Sequence, residues 1–164
     1  MEQILWWYVG ITGTFMFAWL QRTEHVLLRI VLWVIDLCFI DVQMLSTDQL
    51  AALPLESYLL LDVRSREEFD VSHLPFALDF LPDDTPSDAV IVVYCSIGWR
   101  SSLVARQLRK AGFPNSYNLR GSLFLWVLEG RSLDGTNPSR GAFVVHPFNT
   151  VWGKLLPAYL RWRG

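Results

Sequence analysis

The sequence predicts an α/β fold: a parallel sheet with helices on both faces, preceded by an N-terminal transmembrane helix. Three observations carry this. The runs YLLLDV (58–63) and AVIVVY (89–94) are continuously apolar, as strands covered on both faces are. Segments with helical spacing alternate with them, the pattern of parallel strands joined by crossover helices. Residues 4–20, ILWWYVGITGTFMFAWL, carry no charge; as a helix they would span roughly 26 Å, enough to cross a bilayer core.

Composition narrows the function. The 164 residues make about one domain. With 14 Lys+Arg against 16 Asp+Glu and a net charge of −2, there is no excess of cation to neutralise phosphates, so nucleic acid is excluded as the main partner. Hydrophobic residues are 52 % and mean hydropathy is +0.27, which excludes general disorder and points to a membrane. The two cysteines, Cys38 and Cys95, form neither a disulfide framework nor a metal cluster.

The elements follow in order. Residues 1–25 read as the anchor, with Trp6, Trp7 and Tyr8 at one end of the apolar run and Trp19 at the other. No Lys or Arg precedes it and no A-x-A-like site follows, unlike a cleaved signal. Arg22 and Arg29 follow the span, which places the rest of a single-pass chain in the cytoplasm. Residues 26–41 are apolar but interrupted by Arg29 and Asp36. Burying both in lipid is expensive, so an amphipathic helix lying on the membrane or on the domain is expected. Cys38, among Leu37, Phe39 and Ile40, reads as a small buried hydrophobe.

Residues 42–133 read as the folded domain. A short strand occupies 42–45. Ser46 caps a helix over 47–53, ended by Pro54. After the strand at 58–63, Ser65 caps a short helical turn through Glu67, Glu68 and Phe69. LPDDTPSD (81–88) is a loop by composition. The strand at 89–94 leads into a helix over 100–111 with an apolar stripe at Leu103, Val104, Leu108 and Ala111, stopped by Gly112. A strand at 116–119 precedes a helix over 123–129, expected to be capped by Ser122 and closed by Gly130. Residues 134–164 form an extension. Its 149–162 stretch reads as one amphipathic helix with Val151, Trp152, Leu155, Leu156, Tyr159 and Leu160 on a broad apolar face, packed on its own domain or resting on anionic lipid.

Chemistry is expected at the carboxyl ends of the strands, where ligands bind in open α/β sheets. The strand at 89–94 runs directly into Cys95-Ser96-Ile97-Gly98-Trp99-Arg100-Ser101, and a helix follows at once. A thiol at such a junction faces the positive end of a helix and unpaired loop N–H groups, which favour the thiolate. Gly98 lets the loop curl so that N–H groups converge, and Arg100 supplies a cation with a forked grip on oxyanions.

These residues resemble a known family. LLLDVRSREEF (59–69), SHLPFA (72–77) and VVYCSIGWRSS (92–102) look like a single rhodanese domain, and NLRGSLFLWVLEGRSL (118–133) resembles its last strand and helix. The resemblance implies sulfur transfer by covalent catalysis. Cys95 would take sulfur from a donor such as thiosulfate or a persulfide and pass it to a thiol or protein acceptor. Ser96, Ile97, Gly98, Trp99 and Ser101 would form the substrate-binding loop, with Arg100 binding the anionic part of the donor. Asp62 and Arg64, the D-x-R motif, would hold the site in shape. No metal and no organic cofactor is implied. Glu68 matches a recurring family acid, against a plain solvated helix charge. His73 falls in a turn where a stabilising imidazole is expected, and Ser72 and Phe76 stand where the family more often has glycine. Trp99 would wall the pocket.

Two alternatives belong to other classes. A cysteine-based phosphatase or arsenate reductase wraps its oxyanion in a C-x5-R loop, whereas Arg100 here gives C-x4-R. A catalytically silent module would act as a scaffold or persulfide carrier at the membrane; such modules commonly lose the cysteine that this chain keeps.

Overall fold

The computed structural model describes residues 26–135 and 144–163. The expected anchor, residues 1–25, lies outside the described residues. Among the described residues, no helix is long and apolar enough to cross a membrane.

The elements in chain order are α1 (Val26–Cys38), β1 (Met44–Leu45), α2 (Thr47–Ala52), β2 (Leu59–Asp62), α3 (Arg66–Val71), β3 (Ile91–Tyr94), α4 (Trp99–Lys110), β4 (Ser116–Leu119) and α5 (Ser122–Leu128). The four strands form one parallel sheet in the order β1-β4-β3-β2. All four residues of β3 are buried, because a central strand of such a sheet is covered on both faces.

Local chemistry explains the helix starts. Ser46 and Ser65 each accept a bond from the N3 backbone N–H while the N3 side chain, Gln49 or Glu68, accepts from the cap's own N–H. These are complete capping boxes. Helix α4 begins at Gly98 with φ 105°, where a side chain is disfavoured. Helix α5 differs from expectation. Ser122 is its first residue, not its cap, and the chain enters through two left-handed positions, Gly121 (φ 78°) and Ser122 (φ 50°). The Ser122 hydroxyl is taken up elsewhere, in the site described below.

The hydrophobic core extends beyond residues 42–133. Leu28, Leu32, Ile35 and Phe39 from the first helical segment belong to it, as do Val145, Leu155, Leu156 and Leu160 from the extension. Helix α1 is therefore docked on the domain by one face. Asp36 of that helix pairs with Arg120, two guanidinium nitrogens reaching its carboxylate at 2.7–3.1 Å. Cys38 is exposed, not the buried hydrophobe expected, because it points away from the docked stripe.

The continuous helix expected over 149–162 is absent. Two short 3-10 turns, Trp152–Leu155 and Ala158–Leu160, take its place. Pro157 lies between them; it lacks the N–H a helix needs and disfavours helical backbone at Leu156. Arg161 folds back, donating from Nε and Nη2 to the Leu156 carbonyl at 2.8 and 2.5 Å. The segment packs on its own domain through Leu155, Leu156 and Leu160.

Candidate active site

The last residue of β3, Tyr94, pairs with Asp62 at the end of β2. The sheet thus brings the Asp62–Arg64 segment beside the loop that begins at Cys95. Several bonds fix that loop from α5. Ser122 Oγ accepts the Cys95 N–H at 3.2 Å and donates to the Leu119 carbonyl at 3.0 Å. Leu123 and Phe124 N–H groups donate to the Cys95 and Ser96 carbonyls at 3.1 and 2.9 Å. The strained left-handed entry to α5 is what turns these groups toward the loop.

Cys95 is 1 % exposed, and its sulfur receives two hydrogen bonds. The Gly98 N–H donates at 3.2 Å and the Ser101 hydroxyl at 3.5 Å. Donors arranged around a sulfur favour negative charge on it and on any atom attached to it. Gly98 is itself constrained. A Cβ there would meet Asn118 Nδ2 at 3.4 Å, and its φ of 105° disfavours any side chain. Asn118 holds the start of α4 by donating to Ser102 Oγ at 2.9 Å, and Ser102 Oγ donates to the Gly98 carbonyl at 2.7 Å.

Glu68 is the site residue that sequence reasoning left undecided. It is buried, not a solvated helix charge. Arg100 Nη1 and Nη2 donate to its two carboxylate oxygens at 2.8 Å each, and Arg100 Nη2 also donates to Ser96 Oγ at 3.1 Å. Burial alone would raise the Glu68 pKa. The bonds from Arg100 and the Ser65 N–H, with the charges of Arg100 and Arg64, overcome that and hold it at about 2. Burial likewise opposes the charge on Arg100, but Glu68 and the neighbouring Cys95 raise its pKa above the ordinary value.

Asp62 and Arg64 form a second ion pair, in which Arg64 Nη1 is buried without a hydrogen-bond partner. Arg64 Nε and Nη2 donate to the Asp62 carboxylate at 2.7–3.1 Å, and Nη2 donates to the Ser72 carbonyl at 2.6 Å. Both side chains are buried. They tie β2 to the turn at Ser72. His73 stacks on Phe69, ring centroids 3.9 Å apart, with Nδ1 3.0 Å from the Phe69 carbonyl oxygen. It braces that turn away from the sulfur.

A cavity of about 340 Å³ opens over Cys95, Ser96 and Arg100. Its walls are Ile97, Trp99, Phe148 and Trp152. Trp99 meets Phe39 edge to face at 5.1 Å, and Phe148 lies over the Arg100 guanidinium at 4.6 Å. Phe148 and Trp152, both from the extension, are wall residues the sequence reading did not assign; Trp152 was placed only on an apolar helix face. No local pattern marks a distant segment that folds back over a loop. Among the described residues, no cluster of His, Cys, Asp and Glu suits a metal ion.

Comparison with known proteins gives three findings. The model of the rhodanese-like domain family matches residues 46–129. Among curated proteins, the chain is 35 % identical over 86 residues to the adenylyltransferase and sulfurtransferase UBA4 of Candida albicans, covering 43 % of this chain and 20 % of that one. It is 39 % identical over 82 residues to a tRNA sulfurtransferase of Desulfurococcus amylolyticus, 47 % of this chain and 16 % of that one. A sulfurtransferase of Allochromatium vinosum is 32 % identical over 82 residues, which cover 77 % of it and 46 % of this chain. The match thus spans a fifth or less of the first two relatives. Among solved structures, the thiosulfate sulfurtransferase of Pseudomonas aeruginosa superposes with a TM-score of 0.54 at 20 % identity, over 69 % of this chain and 24 % of that one, a likeness of fold.

Proposed function

The chain belongs to the rhodanese-like domain family, and on that premise we propose that it is a sulfurtransferase carrying sulfane sulfur as a persulfide on Cys95. The Cys95 thiolate attacks the outer sulfur of a donor, such as thiosulfate or a persulfide. A Cys95 S–S bond forms, the donor's bond to that sulfur breaks, and the rest of the donor leaves as an anion. An acceptor thiol, small or on a protein, then takes the outer sulfur and the Cys95 thiolate returns. No electrons are gained or lost overall and no metal is called for.

The observation that carries this reading is the pair of donors aimed at one buried sulfur at the mouth of a cavity. They stabilise the charge that builds on the persulfide. Arg100, held in place by Glu68, lies beside the sulfur, while Asp62 and Arg64 hold the surrounding turn. The C-x4-R spacing makes a shorter cradle than the phosphatase loop, and a phosphate ester is expected to show no turnover. The test is the mass of the intact protein after treatment with a sulfane-sulfur donor. Wild type gains one sulfur atom and Cys95→Ser gains none; no gain on wild type contradicts the reading.

We also propose that the protein sits at a membrane, with the domain on the cytoplasmic side because Arg22 and Arg29 follow the apolar segment. Two features support the membrane placement: the apolar 4–20 segment and the outer face of α1. Leu27, Ile30, Trp33, Val34 and Leu37 are all exposed there. With 3.6 residues per turn, this stripe lies about 180° from the docked Leu28, Leu32 and Ile35 stripe. A helix apolar on both sides, with one side on the domain, suits a lipid surface on the other.

A further inference from the structure

The charge and walls of the cavity bear on which sulfur compound it accepts. Arg100 is the one cation among the described residues that line it. Its charge is already committed: Glu68 takes both terminal nitrogens, Ser96 shares one of them, and Phe148 covers its face. The second cation, Arg64, is paired with Asp62 and fully buried, its Nη1 without a hydrogen-bond partner. Two cations and two carboxylates leave no net positive charge for a dianion such as thiosulfate. Carrying such an ion into a space walled by Ile97, Trp99, Phe148 and Trp152 forfeits its hydration with little compensation. The same walls reward an apolar body. Their volume of about 340 Å³ sits at the lower end of the range for small-molecule pockets, about 300–1,000 Å³.

Resting on the sulfurtransferase reading, we propose that the substrate of this site is an organic sulfane-sulfur compound whose body is apolar and about the size of an aromatic ring. Phe148 and Trp152 are its specificity-determining contacts. The chemistry is unchanged by the body. With an organic thiosulfonate, the Cys95 thiolate bonds to the terminal sulfur, the S–S bond of the donor breaks, and a sulfinate anion leaves; total charge is conserved. With an organic persulfide, the leaving group is the parent thiolate.

Methanethiosulfonate and benzenethiosulfonate have the same reacting head and the same single charge, and differ only in the body. Initial rates of Cys95 persulfidation by each, and by thiosulfate, isolate the body's effect in the full-length wild-type protein. Burying a ring-sized apolar group supports a kcat/KM ratio of about tenfold or more in favour of benzenethiosulfonate, with thiosulfate the poorest donor. Phe148→Ala and Trp152→Ala, each confirmed folded by circular dichroism, bring the ratio toward one. A wild-type ratio near one, or thiosulfate as the best donor, overturns the substrate class while leaving sulfur transfer standing. Persulfide on Cys95 from none of the three overturns the sulfurtransferase reading, and this inference with it.

Discussion

Glu68 and Arg100 make the clearest statement at the scale of single residues. A carboxylate held at about 2 in the fold, against 4.5 for a free glutamate, stabilises the folded state in a defined window. The contribution is complete above about pH 4.5 and is lost as pH falls through about 2. Replacing Glu68 by Gln leaves the half-buried Arg100 charge uncompensated and is expected to cost about 1–3 kcal/mol at pH 7. Urea unfolding of both proteins checks this: the gap between them closes as pH is lowered from 4.5 toward 2. At Gly98 the backbone itself is the reagent. Gly98→Ala forces a side chain onto φ 105° and shifts the N–H that donates to Cys95. A drop in sulfur-transfer rate of about 10- to 100-fold is expected, in line with losing one preorganised donor, with the far-UV spectrum retained. That Cys95, Gly98 and Arg100 share one loop at the end of β3 was legible from their spacing. The commitment of Arg100 to Glu68 was not, since 32 residues separate them and only the sheet brings β2 beside β3.

At the scale of elements, local chemistry was read correctly wherever it sufficed. The strands β2 and β3 follow from apolar runs, and the Ser46 and Ser65 caps from a serine placed just before a helical segment. Reading failed where a tertiary bond claimed the same group. Ser122 looked like a cap, but its hydroxyl serves Cys95 and Leu119. The 149–162 periodicity promised a helix, but Pro157 divides it. The turn after α3 shows a further conflict: Phe76 stands at φ 64° and is 70 % exposed. A left-handed non-glycine residue costs about 1–2 kcal/mol, while glycine loses about 0.5–1 kcal/mol more in backbone entropy on folding. Phe76→Gly is therefore expected to stabilise the protein by about 0.5 kcal/mol, read as a small rise in Tm; a loss of more than about 1 kcal/mol would show that the ring contributes packing.

At the scale of the molecule, α1 joins the possible lipid contact to the chemistry. Its inner face is in the core, and Phe39 just beyond its end touches Trp99 on the cavity wall. The outer face carries Trp33 at 60 % exposure, and Ile40 just past the helix end is 84 % exposed, which is unfavourable in water and favourable in an interface. The full-length chain is expected to float with phospholipid vesicles. Removing residues 1–25 weakens binding by about tenfold or more, and adding Ile30→Asp and Trp33→Asp removes what remains. A full-length chain that stays at the bottom of the gradient contradicts the membrane reading. The apolar bias was visible in composition, and the expected anchor at residues 1–25 lies outside the described residues. The two-sided character of α1 was not visible there, because which of its faces meets the domain depends on partners far along the chain, such as Arg120 for Asp36 and Trp99 for the adjoining Phe39.

The central claim is that Cys95 carries sulfur between two separate half-reactions. Protein treated with donor and freed of it by gel filtration is mixed with an acceptor thiol, and the sulfur delivered is counted. The account predicts one sulfur atom per wild-type chain and none from Cys95→Ser. Transfer that occurs only while donor and acceptor are present together would contradict it.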